Sequence, residues 1–226
     1  MTVASADRIV GNRKQKVTLR AAFGEFWRHP SPWLILATLL GATVARLVVG
    51  EWTLADWLAP AVYVALFPVL EWVVHVFVLH WRPRRIGRVK VDHLLASKHR
   101  AHHRDPRDIP LVFIPWQALL VVIAATWALA LWLAPTTGSG LTFVMAVAVM
   151  GLVYEWTHYL VHTDYKPRSR PYKAVWRHHR LHHFKNEHYW LTVTTAHTAD
   201  RVFGTDPDPA TVETSPTAKQ LYGLPD

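Results

Sequence analysis

The motif HxxHH occurs twice in this sequence, and each copy is flanked by arginines. The first copy, within KHRAHH, comprises His99, His102 and His103. The second copy, within RHHRLHH, comprises His179, His182 and His183. Residues three and four apart lie on the same face of a helix, so each copy presents three imidazoles to one side. Because neutral imidazole is a metal ligand, the two copies predict a metal-binding protein.

A pair of histidines, with a glutamate before it, precedes each copy of the motif at the end of an apolar stretch. The first half reads E-x3-H-x4-H-x18-HxxHH and the second reads E-x2-H-x3-H-x16-HxxHH, so the halves form a repeat. If the histidines converge, they supply about five nitrogens to each of two metals, and an all-imidazole set suits Fe, Cu, Zn or Ni alike. The predicted metal ligands are His75, His80, His99, His102, His103, His158, His162, His179, His182 and His183.

The spacing of the first pair conflicts with a regular helix. His75 and His80 are five residues apart, so they share a face only in a distorted or ending turn. The glutamates Glu71 and Glu155 lie roughly 13 Å and 10 Å deeper in their helices than the last histidine of each pair. Carboxylates at such depth are costly and usually functional. Each is predicted to accept the free ring N–H of a ligating histidine, with direct ligation or helix packing as alternatives.

The other histidines and the basic residues have simpler interpretations. His29, His93 and His197 are expected to be interfacial or structural. His178 and His188 are also expected to be structural, with a role as ligands or as supports of ligands as the alternative. The arginines and lysines beside both motifs are expected to face lipid headgroups; the alternative is that some of them dock an acidic electron-transfer protein or a carboxylate or phosphate headgroup.

The elements that must position the histidines are long apolar helices. The chain has 226 residues, 51% of them apolar, and a net charge of +9. Four apolar stretches have about the 20 residues that a helix needs to cross a bilayer core. They cover residues 32–50, 57–80, 111–134 and 141–162. We therefore predict an all-α fold: an integral membrane protein with four spanning helices, whose ends carry the histidine motifs. A soluble helical bundle is the alternative.

Lys and Arg residues predict how the spans are oriented. Six lie before Pro32, nine between Arg82 and Arg107, and nine from Lys166 onward. Basic residues favour the cytoplasmic side, so both termini and the histidine motifs are predicted to be cytoplasmic. Arg46 alone lies near the opposite ends of the spans, where it is expected to snorkel outward.

The chain is predicted to have three parts. Residues 1–31 form a cytoplasmic or interfacial segment, residues 32–204 form the membrane domain, and residues 205–226, rich in Pro, Thr and Asp, form a disordered tail. The four spans leave no separate domain for nucleic acid. The absence of cysteine excludes disulfides, iron–sulfur clusters and thiolate chemistry.

These motifs resemble the membrane fatty acid hydroxylase superfamily, the histidine-box family that also contains sterol desaturases and carotenoid hydroxylases. The resemblance runs from about Val69 to Thr205 and is closest to the fatty acid 2-hydroxylase branch. It rests on LEWVVHVFVLH, KHRAHHRDPRDIPLVFIP, YEWTHYLVH, HRLHHFKN, VTT and ADRVFGT. The chain departs from that branch in having Ile109-Pro110 before Leu111, WLTVTT in place of a glycine-containing run, and no fused haem-binding domain at the N-terminus.

The resemblance implies O2-dependent hydroxylation or desaturation of a lipid at a non-haem site of two Fe ions, which such proteins can retain as Zn when isolated. It assigns the ligand roles to the ten histidines named above. With it we expect an integral membrane four-helix bundle with a cytoplasmic helical cap that holds the histidine-rich dimetal site, and a lipid that enters from the bilayer. The electrons are expected to come from a separate protein of the cytochrome b5 or ferredoxin type, because the chain has no flavin, haem or iron–sulfur motif. Alternatives are a carotenoid or sterol as substrate, a metal transporter, and an inactive scaffold.

Overall fold

The protein is described here by a computed structural model that covers residues 17–223. Four helices in it are long and apolar enough to cross a membrane, which confirms the predicted four-span bundle. Within residues 17–223 one helix, α1, precedes them, and the third span is broken at residues 113–115. The elements of this part are α1 (Leu19–Phe26), α2 (Pro30–Val49), α3 (Leu54–Val74), α5 (Ile109–Val112), α6 (Trp116–Leu133) and α7 (Thr137–His162).

A cap of short elements lies at the end of the bundle that carries the histidines. A two-stranded antiparallel hairpin, which the all-α prediction did not include, follows the second span and leads into α4. Two further helices follow the fourth span. The cap consists of β1 (Arg84–Ile86), β2 (Val89–Val91), α4 (Leu94–Arg104), α8 (Arg170–Phe184), α9 (Ala199–Val202) and a 3₁₀ turn (Leu221–Gly223).

Helix α7 is the centre of the bundle and packs against α2, α3 and α6. Small residues permit this close packing. A Cβ on Gly140 would lie 2.7 Å from the carbonyl oxygen of Ala130 on α6, so only glycine allows this approach. On the outside of the bundle, large apolar side chains such as Leu47, Val121 and Trp132 are exposed, as expected of helices whose outer faces contact lipid.

Arg46 does not snorkel, which corrects the expectation from the sequence. Its guanidinium is buried, forms an ion pair with Asp56 at 3.0 Å and donates to the carbonyl of Glu51 at 2.6 Å. It also lies 3.7 Å from the ring centroid of Trp52. A buried charge needs a partner, and Asp56 at the start of α3 provides one inside the bundle.

The second span ends in a π-helix over His75–Leu79. The N–H of His80 donates to the carbonyl of His75 at 2.9 Å, which is the i→i+5 bond of this helix type. The wider turn brings His75 and His80 onto one face. This confirms the prediction that their five-residue spacing requires a distorted turn.

The chain after Thr205 is folded up to Gly223, which corrects the expectation of a disordered tail. The N–H of Ser215 donates to the carbonyl of Lys185 at 2.7 Å, and the Thr217 hydroxyl donates to Glu187 at 2.5 Å. Ala218 is buried. The Pro and Asp residues form turns here because the segment packs against the histidine helices. Residues 224–226 lie outside the described chain.

The expected N-terminal segment, residues 1–31, lies partly outside the described chain, which begins at residue 17. Its described part contains α1, which packs on α7. The Tyr159 hydroxyl donates to the carbonyl of Ala22 at 3.0 Å, and Phe26 lies against the rings of Trp156 and Phe113. This helix is therefore held at the histidine end of the bundle.

Candidate metal centre

The ten histidines singled out in the sequence come together as two groups of five. Within each group, one atom from every residue lies within 4.8 Å of the others. All ten rings are buried. The first cluster comprises His75, His80, His99, His103 and His182, and the second cluster comprises His102, His158, His162, His179 and His183.

Each HxxHH motif divides its histidines between the two clusters. In α4, the i, i+4 pair His99 and His103 belongs to the first cluster, whereas His102 belongs to the second. In α8 the arrangement is reversed, because His179 and His183 belong to the second cluster and His182 to the first. Each half of the repeat therefore supplies four rings to one cluster and one ring to the other. The spacing HxxHH lets a single helix serve both clusters.

In the first cluster, three rings have their Nδ1 atoms fixed by backbone carbonyls. His103 Nδ1 lies 2.9 Å from the carbonyl of Ala218, and His182 Nδ1 lies 3.0 Å from that of Tyr189. His75 Nδ1 makes the same kind of contact with the carbonyl of Leu191. A carbonyl only accepts, so each Nδ1 carries the proton, and each Nε2 of the neutral ring presents a lone pair.

Burial keeps these rings neutral. Desolvation lowers the pKa of His103 to about 3, although its bond to the Ala218 carbonyl works in the opposite direction. Desolvation, followed by repulsion from neighbouring histidines, also holds pKa values well below the usual range at His99, His102, His179, His182 and His183. Neutral imidazole is the form that binds a metal.

The inward nitrogens fit a metal ion better than they fit one another. His103 Nε2 and His182 Nε2 are 3.2 Å apart, and with both protons on Nδ1 two lone pairs face each other. The Nε2 atoms of His162 and His183 lie 2.9 Å and 3.0 Å from that of His179. Two nitrogens bound to one ion at about 2.0–2.1 Å lie about 2.9–3.4 Å apart, so these distances match edges of a coordination shell.

Unpaired nitrogens in the second cluster support the same fit. Within the described residues, His102 has no hydrogen-bond partner at either ring nitrogen, although both atoms are buried. Buried polar atoms are nearly always paired, and an ion is one of the partners that explains an exception. The donor set of both clusters therefore fits a pair of first-row transition-metal ions.

The two glutamates accept from backbone N–H groups around the clusters. Within the described residues neither accepts a ring N–H of one of the ten histidines, which corrects that prediction. Glu71 accepts from the N–H groups of Val193 and Thr194, both at 2.9 Å, and from the Thr194 hydroxyl at 2.8 Å. Val193 and Thr194 lie two and three residues after Leu191, whose carbonyl contacts His75, so Glu71 is connected to His75 through the backbone. Glu155 accepts from the N–H of Ile114 at 3.1 Å, at the break in the third span.

Asp200 is a supporting residue that the sequence analysis did not single out. Its carboxylate accepts from the N–H of Leu191 at 2.8 Å, from the N–H and hydroxyl of Thr192, and from Thr205. His178 Nε2 lies 2.9 Å from it. Burial alone raises the pKa of Asp200, but these hydrogen bonds leave it below its usual range. The sequence did not reveal this role, because Asp200 is a single Asp within ADRVFGT and belongs to no motif with a recognisable spacing.

The remaining histidines lie outside the two clusters. His93 caps α4, where its Nδ1 accepts from the N–H of Ala96 at 3.3 Å. The ring of His29 stacks on that of Phe113, with centroids 4.0 Å apart. Both have the structural roles that were expected. The side chain of His188 is 65% exposed. The rings of His178, on α8, and of His197 contact each other on the side of α8 that faces away from the two clusters.

An apolar cavity of about 280 Å³ runs from the first cluster into the bundle between α2, α3, α6 and α7. His75 and Leu79 lie at one end, and Tyr63 and Thr126 line it farther along the spans. His75 and Tyr63 are 12 residues apart on α3, which corresponds to a depth of about 18 Å. The cavity thus connects the first cluster to the membrane interior along a path of chiefly apolar side chains.

Known proteins resemble this chain in sequence and in fold. A fatty acid hydroxylase family model matches residues 60–205. A dihydroceramide fatty acyl 2-hydroxylase of Arabidopsis thaliana is 27% identical over 184 residues, covering 80% of this chain and 73% of the relative. A fatty acid 2-hydroxylase of Macaca fascicularis is 30% identical over 132 residues, covering 58% of this chain and 34% of the relative. The solved structure of full-length scs7p, in which only the hydroxylase domain is visible, has a TM-score of 0.64 at 20% identity, covering 82% of this chain and 70% of that one.

Proposed function

Because the chain belongs to the fatty acid hydroxylase family, we propose that it hydroxylates the acyl chain of a membrane lipid with O2 at a non-haem di-iron site. The ten histidines of the two clusters are the proposed ligands, five to each ion. When bound, the iron ions supply the oxygen activation and C–H cleavage that the side chains of this protein lack. Electrons come from a separate cytochrome b5- or ferredoxin-type protein.

The cavity that ends at His75 is the observation that carries the proposal. Phe67, Leu70, Val122 and Val144 are among the apolar side chains that line it. Such a chiefly apolar lining offers a hydrocarbon chain a dry path, whereas an ion needs polar ligands along its whole route through a membrane. The geometry therefore favours a lipid hydroxylase over a metal transporter.

The position of the clusters favours a carbon close to the lipid headgroup. The histidines lie at one end of the spans, whereas the cavity extends about 18 Å away from them toward the other end. An acyl chain that enters with its methyl end deep in the cavity leaves its carbonyl end beside His75. We therefore propose C2, the carbon next to the carbonyl, as the site of hydroxylation. The names of the relatives agree with this choice.

The protein's own residues position and protect this reaction. The carbonyls of Leu191, Ala218 and Tyr189 hold three imidazoles of the first cluster with their lone pairs inward. Glu71 and Asp200 hold the segment that contains Leu191. The folded segment after Thr205 packs over the cap and contributes the Ala218 carbonyl, which helps keep water from the site. We place the site and both termini in the cytoplasm, in accord with the distribution of basic residues.

Lipid mass spectrometry of membranes from expressing cells supplied with ¹⁸O2 tests the proposal. We expect 2-hydroxy acyl lipids that contain one ¹⁸O atom with the wild-type protein and none with His102→Ala. Hydroxylated sterols or carotenoids with unchanged acyl chains would replace the proposed substrate with an isoprenoid. Hydroxy acyl lipids that carry no ¹⁸O, or that persist in His102→Ala, would contradict the mechanism.

A further inference from the structure

A third group of possible ligands lies on the side of α8 that faces away from the two histidine clusters. One ligand atom each from His178, His197 and Asp206 lie within 4.8 Å of one another. His197 Nδ1 is 2.7 Å from an Asp206 oxygen, and the rings of His178 and His197 have centroids 5.2 Å apart. None of these residues belongs to the proposed di-iron site.

The tautomer of His178 is fixed by Asp200. His178 Nε2 lies 2.9 Å from the Asp200 carboxylate, whose other donors and low pKa keep it ionised, so this nitrogen carries the proton. In the neutral ring, Nδ1 then holds a lone pair. This atom is buried, has no hydrogen-bond partner in the described part of the chain, and lies 4.0 Å from an Asp206 oxygen.

In a neutral His178 this lone pair is directed at a carboxylate, an arrangement that is relieved by a proton on Nδ1 or by a metal ion between the two groups. We propose that His178 Nδ1, the His197 imidazole and the Asp206 carboxylate bind a divalent transition-metal ion such as zinc, separate from the di-iron site. Two imidazoles and one carboxylate are a common ligand set for zinc. An Asp–His–metal arrangement, here with Asp200, is the usual way in which a carboxylate fixes the orientation of a ligating imidazole.

The surroundings permit this ion with small adjustments. Ligand atoms at about 2.0–2.2 Å from zinc lie about 3–3.5 Å from one another. The distance between His178 Nδ1 and the Asp206 oxygen must therefore shorten by less than about 1 Å. Arg201 also contacts Asp206 at 3.1 Å, but its side chain is 69% exposed and is free to turn toward solvent. A cavity of about 480 Å³ adjoins the three ligands and has room for water as a fourth.

The backbone conformation at His197 is consistent with a metal-binding site. Its φ of 66° is in the left-handed region, which is uncommon for residues other than glycine. This conformation directs the imidazole toward Asp206. An ion at this position would tie residues 197–206 to α8 and so hold Asp200, which bonds the N–H of Leu191. The ion would therefore stabilise the segment that contains Leu191, whose carbonyl contacts His75.

Metal counting on the purified full-length protein tests the inference. After dialysis against a weak chelator, each protein is titrated with Zn²⁺, and bound metal is measured by mass spectrometry. We expect His197→Ala and Asp206→Asn to bind about one ion fewer per chain than the wild type. The matched control, His188→Ala, removes an exposed histidine outside all three groups and is expected to bind as many ions as the wild type.

Equal metal content in the wild type, His197→Ala and Asp206→Asn would overturn the inference. The three residues would then form only a hydrogen-bonded network, whether or not His178 is protonated. The result is independent of the proposed di-iron site, because loss of metal there is reported by His102→Ala. If His102→Ala binds as much metal as the wild type while His197→Ala binds less, the di-iron proposal fails and the third site stands.

Discussion

The imidazole rings of His103 and His183 have centroids 4.3 Å apart, although the two residues belong to different clusters. They come from the two HxxHH motifs, on α4 and α8. Their contact marks the place where the two clusters adjoin. The two proposed metal sites are therefore built jointly by both halves of the repeat, and neither half contains a complete site.

Adjacent histidines on α4 are expected to control different ions. His102→Ala removes a ligand from the second cluster, and His103→Ala removes one from the first. Each variant should lose about one ion per chain, and the double variant about two, because each ion loses one of about five nitrogens. Metal analysis of the purified proteins checks this, with His93→Ala as a control that keeps full metal content. A double variant that loses no more than either single variant would contradict the division between clusters.

Glu71 is expected to matter as a hydrogen-bond acceptor. In Glu71→Ala, two backbone N–H groups of the segment 193–194 lose their acceptor, at a cost of about 1–3 kcal/mol for each buried group. In Glu71→Gln the amide oxygen still accepts both, and Thr194 is able to accept from the amide nitrogen. We expect thermal denaturation and metal retention to show a large loss for alanine and a small one for glutamine. Equal losses would indicate that the charge, and not the acceptor, is required.

The sequence predicts that the ten histidines come together, as they do in the structure, because their spacing is a local property. Apolar runs of about 20 residues and histidines at i, i+3 and i+4 determine spans and helix faces directly. The division of ligands was not predictable, since His99, His102 and His103 all lie on one face, and only the crossing of α4 and α8 separates them. The roles of Leu191 and Ala218 could not be predicted either, because these residues act through backbone carbonyls, which every residue has.

The metal-free protein is expected to lose stability as the pH falls below neutrality. Buried histidines such as His103, whose folded pKa is about 3, remain neutral, whereas the unfolded chain binds protons near pH 6.5. The unfolded state then binds more protons, so each such histidine lowers the free energy of unfolding by about 1.4 kcal/mol per pH unit below 6.5. Thermal denaturation between pH 8 and pH 5 measures this. A flat profile would contradict the burial of these rings.

The depth of the cavity is expected to set the length of the acyl chain. Thr126 lines it far from His75, so Thr126→Trp should shift hydroxylated products toward shorter chains without a loss of metal. Val121→Trp is the matched control, because Val121 is on the same helix and 69% exposed toward the outside of the bundle. Lipid mass spectrometry gives the chain lengths. An unchanged distribution in Thr126→Trp would show that the substrate does not occupy this cavity.

Anomalous diffraction from crystals of the zinc-loaded protein tests the central claim most directly. We predict one peak inside the first cluster and another inside the second, each about 2.0–2.1 Å from the Nε2 atoms or other ring nitrogens of its own five histidines. A single peak shared by both clusters, or no peak among these ten histidines, would contradict the account.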